Sequence, residues 1–154
     1  MSFVGIGYQG ITLPVLQRQL LLGEVAVVCD VRLNPLSRKP GLSKTGLSSA
    51  LREVGVKYLH LPALGNPKWN RAGFDGSPAE LDEAIGNFEE LMRSSEAAQE
   101  ALGQIRSCSG EGRVGLLCYE ASSNRCHRGV ILAQLGVAAE EPDISKIVEQ
   151  LVLT

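Results

Sequence analysis

Residues in the last third of the chain combine the side chains that thiol, acid–base and anion chemistry use. Cys126, His127 and Arg128 are consecutive, and Glu120 lies shortly before them. A cysteine attacks as its thiolate, and nearby positive charge favours that form. A histidine and a carboxylate carry protons between reacting groups. The cluster predicts catalytic roles for Cys126, Glu120 and His127, and an anion-binding role for Arg128.

Further polar side chains follow the other apolar runs of the sequence. We predict that they bind the ligand together with Arg128, and they are Tyr8, Asp30, Arg32, Ser37, Arg38, His60 and Asn66. A helix N-terminus offers unpaired N–H groups and a partial positive charge, and arginines beside it strengthen its hold on phosphate. The sequence therefore predicts an anion pocket in which Arg32, Arg38 and Arg128 meet the start of a helix at residues 125–128.

The elements that must position these residues are visible in the hydrophobic periodicity. Short apolar runs predict strands, each followed by helical spacing, at residues 3–7, 24–30, 56–60 and 113–119. Strands joined by helices form a mostly parallel sheet with helices on both faces. We predict one three-layer, Rossmann-like α/β domain over residues 1–154. Ligands bind at the carboxyl ends of such strands, where the predicted site residues fall.

The composition is that of an ordinary globular protein. Of its 154 residues, 44% are hydrophobic and 21% are charged, which excludes disordered, collagen-like and coiled-coil proteins. No apolar run approaches the roughly 18 residues of a membrane span, and no secretory signal is visible. We therefore expect a cytoplasmic protein without a membrane partner. The four cysteines are predicted to be free thiols, because a reducing compartment disfavours disulfides.

The net charge of −2 conceals a strong segregation of charge along the chain. Residues 30–71 hold eight Lys and Arg against two acidic residues, a formal charge of +6, whereas residues 75–100 carry −7. The basic segment supplies two of the predicted strand-end loops. It favours a phosphate-bearing ligand, such as a nucleotide or a nucleic-acid end.

Four stretches resemble, in order and spacing, the motifs of the domain-of-unknown-function family 488. They are GIGYQG at 5–10, CDVRLNPLSRKPGLSK at 29–44, KYLHLPALGNPKWNRAG at 57–73 and LLCYEASSNRCHR at 116–128, and the resemblance spans about residues 3–135. It implies an α/β fold with an enzymatic or ligand-binding pocket, but no established reaction.

By this resemblance, several predicted site residues match family motifs. The Asp-Val-Arg motif is matched by Asp30, Arg32, Pro35, Ser37 and Arg38, and the Cys-x-Glu and Cys-His-Arg motifs by Glu120, Cys126, His127 and Arg128. Two positions depart from the family pattern. Ser122 stands where an acidic residue often follows the Glu-Ala pair, and Gln150 stands where a histidine is frequent near the C-terminus.

Other functions for the same residues stay open. The first alternative is a non-catalytic module that binds nucleic acid or a partner protein through the basic segment, and a third is a thiol redox protein that uses Cys126. In the binding module, Trp69 would stack on bases, and phosphates would be contacted by Lys39, Lys44, Lys68 and Arg71.

Cofactor sites are weakly indicated, and we expect neither a cofactor nor a metal. The spacing Gly5-x-Gly7-x-x-Gly10 matches a dinucleotide fingerprint, with Asp30 about 20 positions on, but Asp30 fits the family motif equally well. A zinc site from Cys118, Cys126, His127 and His60 lacks a Cys-x-x-Cys pair, and adjacent Cys126 and His127 would diverge on a helix.

Structural roles compete with these chemical ones at several positions. Cys118 lies in an apolar run, and we expect it to pack in the core. Asp30 and Arg32 can pair with each other rather than with a ligand. For Glu120, orienting Arg125 or Arg128 is a stronger expectation than acting as a general base.

Overall fold

The computed structural model describes residues 2–138 and 143–153. Within these ranges four strands form one sheet, namely β1 (Phe3–Gly7), β2 (Val25–Asp30), β3 (Lys57–His60) and β4 (Arg113–Cys118). All pairings are parallel, and the order across the sheet is β1-β4-β2-β3. The predicted parallel α/β sheet is confirmed, and each predicted strand boundary lies within one residue of the observed one.

Helices cover both faces of the sheet and give the predicted three layers. They are α1 (Leu13–Leu22), α2 (Lys44–Glu53), α3 (Pro78–Ser94), α4 (Glu96–Cys108), α5 (His127–Gln134) and α6 (Ile144–Leu153). One core lies between the sheet and α1, α2 and α6, and the other lies between the sheet and α3, α4 and α5. In the described part of the chain, no helix has the length and apolar character needed to cross a membrane.

Local signals in the sequence explain where several helices begin and end. Ser77 caps α3 by accepting a hydrogen bond from the backbone N–H of Glu80, whose carboxylate accepts one in return from the Ser77 N–H. Gly55 follows α2 with a φ of +75°, a conformation that glycine adopts without a steric penalty.

The strand order decides which loops meet. β4 lies between β1 and β2, and the register sets Gly7 opposite Cys118 and Asp30 opposite Leu117. The loops after β1, β2 and β4 therefore leave the same edge of the sheet. The connection from β3 to α3 contains three short 3₁₀ turns, at Pro62–Leu64, Lys68–Asn70 and Ala72–Asp75.

Candidate functional site

A cavity of about 190 Å³ opens at the carboxyl edge of the sheet. We call it the strand-edge cavity. Its walls come from the residues after β1, β2 and β4, from the start of α5, and from the connection between β3 and α3. Its lining consists of Tyr8, Arg32, Leu33, Asn34, Leu36, Asn66, Arg71, Phe74, Cys118, Tyr119, Glu120, Cys126 and His127.

Two cysteines and a histidine form a buried cluster on this cavity. Cys118 is the last residue of β4, and Cys126 and His127 stand at the start of α5. The Nδ1 atom of His127 lies 3.6 Å from the Sγ of Cys126 and 4.0 Å from the Sγ of Cys118. The ligand-type atoms of all three residues lie within 4.8 Å of one another. We call this group the Cys-Cys-His cluster.

Cys126 and His127 converge because only one of them is helical. Cys126 is the N-cap of α5, with an extended backbone at φ −145° and ψ 148°, and the helix begins at His127. The Cys126 sulfur accepts a hydrogen bond from the backbone N–H of Arg128 at 3.5 Å, as N-cap side chains do. The expectation that Cys126 and His127 diverge on a helix is wrong, because it assumes that both residues are helical.

The orientation of the His127 ring follows from its second nitrogen. Nε2 lies 2.8 Å from the backbone carbonyl oxygen of Val31, which can only accept a hydrogen bond. Nε2 therefore carries the proton, and in the neutral ring the Nδ1 lone pair faces the two sulfurs. Phe88 packs edge-on against the ring, with centroids 5.2 Å apart, and supports this orientation.

The two thiols of the cluster differ in acidity. Hydrogen bonding from Cys126 lowers the pKa of Cys118 to about 5 in spite of burial. Burial, together with the neighbouring Cys118, raises the pKa of Cys126. Of the two thiols, Cys118 is therefore the more acidic. All four cysteines are free thiols, as predicted, but Cys118 faces the strand-edge cavity as well as the core.

Glu120 lines the cavity, and it forms no ion pair with any residue that the structure describes. Its Oε2 atom is buried and has no hydrogen-bond partner among the described residues. Arg128 donates a hydrogen bond to the backbone carbonyl oxygen of Glu120, at 2.8 Å, and not to the Glu120 carboxylate. Arg125 donates to the carbonyl oxygens of Phe74 and Gly76. The expectation that Glu120 orients one of these arginines through its carboxylate is therefore wrong.

Arg128 is fully buried and lies outside the lining of the cavity. Its guanidinium donates to the carbonyl oxygens of Ile6 and Glu120 at 2.8 Å and to the hydroxyl of Ser123 at 2.8 Å. These bonds tie the end of β1 to the loop that follows β4. The structure does not bring Arg128 together with Arg32 and Arg38 around one anion site.

Asp30 and Arg32 form a buried ion pair behind the cavity wall. Arg32 donates from Nε to Asp30 Oδ1 at 2.9 Å and from Nη2 to Oδ2 at 2.7 Å, while Nη1 donates to the carbonyl oxygen of Leu42 at 2.6 Å and to the Tyr8 hydroxyl at 3.3 Å. Tyr58 donates to the same carboxylate. Most of the Arg32 donors are thus engaged within the protein.

The ionisation of this network follows from burial and pairing. Burial by itself would lower the pKa of Arg32, but hydrogen bonding to Asp30 and its charge outweigh this and raise it. Burial raises the pKa of Tyr58, and the hydrogen bond to Asp30 raises it further. Burial also raises the pKa of Tyr8, opposed by Arg32. These pKa directions keep Arg32 charged and both tyrosines neutral.

The remaining predicted ligand residues divide into two groups. Asn66 lines the cavity, and its side-chain oxygen accepts a hydrogen bond from Asn70 at 3.0 Å. Ser37, Arg38 and His60 do not line it. Arg38 is exposed, Ser37 accepts a bond from the backbone of Lys39, and the Nε2 of His60 bonds to the carbonyl oxygen of Arg32 at 2.9 Å.

Arg71 lines the cavity, although the sequence assigned it only to nucleic-acid binding. Its Nε donates to the carbonyl oxygen of Asn66 at 3.2 Å, which anchors the side chain. No carboxylate in the described ranges forms an ion pair with it. The sequence signal that could have assigned Arg71 to the cavity is its position in the loop after β3, at the carboxyl edge of the sheet.

Comparison with known proteins places the chain in a family. The family model described as "Domain of unknown function DUF488" matches residues 15–135, which is more than half of the chain. The chain belongs to the DUF488 family. No curated protein and no solved structure matches it significantly. The region matched by the DUF488 model contains the Cys-Cys-His cluster, Glu120 and Arg71.

The glycines of the dinucleotide-like fingerprint serve packing in this DUF488 chain. A Cβ at Gly7 would overlap the carbonyl oxygen of Glu120 and lie 2.7 Å from its carbon, and a Cβ at Gly5 would overlap the side chains of Ser123 and Asp143. Gly10 has a φ of +78°, which favours glycine. Close approach of the loop after β4 at Gly5 and Gly7, and the positive φ of Gly10, account for the three glycines without a dinucleotide.

The Cys-Cys-His cluster of the DUF488 chain also has the donor types that hold a metal ion. Two sulfurs and one imidazole nitrogen meet at one point, and all three residues are buried. His60, the fourth residue of the zinc set that the sequence spacing disfavours, is not part of this group, and its ring Nε2 is hydrogen-bonded to the backbone carbonyl oxygen of Arg32.

Proposed function

We propose that the protein is a small enzyme that binds a phosphate-bearing ligand, a nucleotide or a nucleic-acid end, in the strand-edge cavity. One observation carries the proposal. Arg71, which has no carboxylate partner among the described residues, lines the same cavity as Cys126, His127 and Glu120. A cation and a set of reactive side chains in one cavity are typical of a site that holds an anionic substrate for chemistry.

Arg71 is suited to bind phosphate. Its Nε is engaged by the carbonyl oxygen of Asn66, so the side chain is oriented while its terminal N–H groups remain for a ligand. Arginine matches the geometry of phosphate with parallel charge-assisted hydrogen bonds. Arg32 adds positive charge on the same lining, although the buried Asp30 largely neutralises it.

The reacting part of the substrate would lie against Cys126, His127 and Glu120. The buried Oε2 of Glu120 has no hydrogen-bond partner in the described part of the chain. An unpaired buried acceptor is costly, and a ligand O–H or N–H group, such as a ribose hydroxyl, would satisfy it. A cytoplasmic location belongs to the proposal, because the free thiols need a reducing compartment.

Binding of simple phosphates tests the pocket directly. Affinities for inorganic phosphate, pyrophosphate and nucleoside monophosphates would be measured by calorimetry for the wild type, Arg71→Gln and Arg18→Gln. Arg18 is exposed on α1 and serves as the matched control. Hydrogen bonds to charged groups contribute about 1.5–3 kcal/mol, so Arg71→Gln should weaken binding at least about tenfold. Equal affinity in all three proteins would refute the pocket.

Turnover of the phosphate compound that binds tightest tests whether the protein is an enzyme. Products would be identified by mass spectrometry for the wild type and for Glu120→Gln, with circular dichroism to confirm folding. We expect turnover to fall at least about 100-fold, the lower end of what a positioned acid or base contributes. Binding without turnover in the wild type would leave a ligand-binding domain.

The alternative of a nucleic-acid module gains support from the loop after β3, which also contributes Arg71 to the cavity. The side chain of Trp69 is 67% exposed, and it lies between exposed Lys68 and Arg71 in the loop after β3. Exposed aromatic rings beside basic residues stack on single-stranded bases. Affinity for a single-stranded oligonucleotide should then fall steeply with salt and with Trp69→Ala, and no binding at low salt would exclude the module.

A further inference from the structure

We infer that Cys118, Cys126 and His127 form a zinc site that opens onto the strand-edge cavity. This inference goes beyond anion binding by Arg71 and does not depend on it. It also reverses the expectation from the sequence, which found the ligand spacing poor. Three features of the described residues carry it, namely the donor spacing, the orientation of the histidine and the surroundings of the sulfurs.

The donor spacing fits a tetrahedral ion. Zinc binds thiolate sulfur at about 2.3 Å and imidazole nitrogen at about 2.0 Å, which sets neighbouring donors roughly 3.5–3.8 Å apart in a tetrahedron. The observed distances from His127 Nδ1 are 3.6 Å to Cys126 Sγ and 4.0 Å to Cys118 Sγ. All three donor atoms lie within 4.8 Å of one another, so side-chain shifts of up to about 1 Å would complete the geometry.

The histidine is held as metal-binding histidines are. Such a ring binds the ion through one nitrogen and donates its other N–H to a carboxylate, a backbone carbonyl or water. His127 donates from Nε2 to the carbonyl oxygen of Val31 at 2.8 Å and presents Nδ1 to the sulfurs. Because this bond is made by the backbone after β2, the fold itself sets the ring orientation.

The surroundings of the sulfurs suit thiolate ligands. Cys126 caps the N-terminus of α5, where the helix carries a partial positive charge, and its sulfur accepts the backbone N–H of Arg128. Two thiolates and a neutral imidazole prefer a borderline-soft divalent ion, for which zinc is the common choice. A divalent charge would also offset the buried negative charge of two thiolates.

The fourth coordination position would face the cavity, since Cys118, Cys126 and His127 all line it. Zinc sites with three protein ligands keep one position open for water or substrate and serve catalysis. Glu120 lines the same cavity and offers its unpartnered Oε2 as an acceptor for a bound water. A phosphate oxygen held by Arg71 would reach the same space.

Zinc content gives the first test. The full chain, reduced with a phosphine and given one equivalent of zinc, should retain one ion per chain after desalting. Cys118→Ser, Cys126→Ser and His127→Gln should each bind zinc at least about 100-fold more weakly in competition with a chromophoric chelator, since even altered partners of ligands cost about 10–100-fold. Cys108→Ser is the matched control, because Cys108 lies outside the cluster, and it should bind as the wild type does.

Cobalt and alkylation keep the inference testable if the variants do not fold. Cobalt added to the wild type should give thiolate charge-transfer absorption and the intense visible bands of a four-coordinate ion. Zinc should slow alkylation of Cys118 and Cys126, mapped by peptide mass spectrometry, at least tenfold and leave Cys108 unchanged. A reduced wild type that holds no zinc, or a Cys118–Cys126 disulfide that forms in preference to zinc binding, would overturn the site.

Arg71→Gln separates this inference from the proposed function. It should retain one zinc per chain while losing affinity for phosphate. If the wild type and Arg71→Gln both bind zinc and neither binds phosphate, the metal site stands and the anion pocket is refuted. A protein that binds phosphate through Arg71 but never binds zinc keeps the anion pocket and loses the metal site.

Discussion

The imidazole of His127 donates a hydrogen bond of 2.8 Å to the backbone carbonyl oxygen of Val31. The bond joins the first residue of α5 to the residue that follows β2, across the edge of the sheet where the strand-edge cavity opens. It determines which nitrogen of the ring carries a proton and which faces Cys118 and Cys126. Both the proposed acid–base role and the proposed metal-binding role of His127 depend on this one contact.

His127→Ala should destabilise the fold, measured by urea unfolding with a chelator present. The change leaves the buried Val31 carbonyl without its donor, which costs about 1–3 kcal/mol. It also removes the ring that packs on Phe88. His60→Ala is the matched control, because His60 makes a similar bond to the Arg32 carbonyl but is only half-buried. Equal losses of unfolding free energy in His127→Ala and His60→Ala would contradict a larger stabilising role for His127.

Gly7→Ala and Gly86→Ala should change stability in opposite directions. A methyl group at Gly7 would overlap the Glu120 backbone, so the loop after β4 must move, and overpacking of this kind costs about 1–3 kcal/mol. At Gly86, inside α3, a Cβ meets nothing within 4 Å, and alanine should stabilise the helix by about 0.5–1 kcal/mol. Urea midpoints that move the same way in both would refute the packing account of Gly7.

Asp30→Ala should be among the most damaging single changes. It leaves the guanidinium of Arg32 buried without its carboxylate, and breaking a buried pair from one side costs about 3–5 kcal/mol. Glu90→Ala breaks the exposed pair with Arg93 and should leave the unfolding midpoint unchanged. If Asp30→Ala shifted the unfolding midpoint as little as Glu90→Ala, then the buried ion pair would not stabilise the loop after β2.

Lys39→Met and Lys68→Met separate a structural lysine from a surface one. The Nζ of Lys39 donates to the carbonyl oxygens of Tyr8 and Ile11 at 2.8 Å each, so its loss should cost about 1 kcal/mol of stability. Lys68 is exposed, and its removal should leave stability unchanged while weakening any oligonucleotide binding. Thermal melts and salt-dependent titrations of both variants would show whether Lys39 instead contacts nucleic acid.

The chain's periodicity predicted the strands and most helices, because burial on one or both sides of an element is a local property of its residues. Val25 to Asp30 and Arg113 to Cys118 are continuously apolar or nearly so, as strands covered on both faces must be. The short apolar run at residues 144–153 suits either a helix or a strand by its spacing, and packing against the core beside α1 makes it helical.

The candidate site was predicted in kind but not in arrangement. Glu120, Cys126 and His127 were assigned to the candidate site because reactive types follow a strand at the carboxyl edge of the sheet, and all three line the cavity there. Cys118 was assigned to the core, since its neighbours are apolar, and nothing local shows that a strand's last side chain also faces a cavity. Arg128 was expected on the ligand, but a buried guanidinium needs several acceptors, and three oxygen atoms of the β1 end and the loop after β4 supply them.

The sequence by itself determined the α/β class, the strand boundaries to within one residue, and part of the set of residues that collect at the carboxyl edge, because these follow from local hydrophobic spacing and the rules of parallel sheets. The tertiary structure decided the strand order, the extended backbone of Cys126, and the carbonyl of Val31 that orients His127. Those features depend on groups far apart in the chain, and only folding sets their distances. They turn a list of reactive residues into one cluster with a defined geometry.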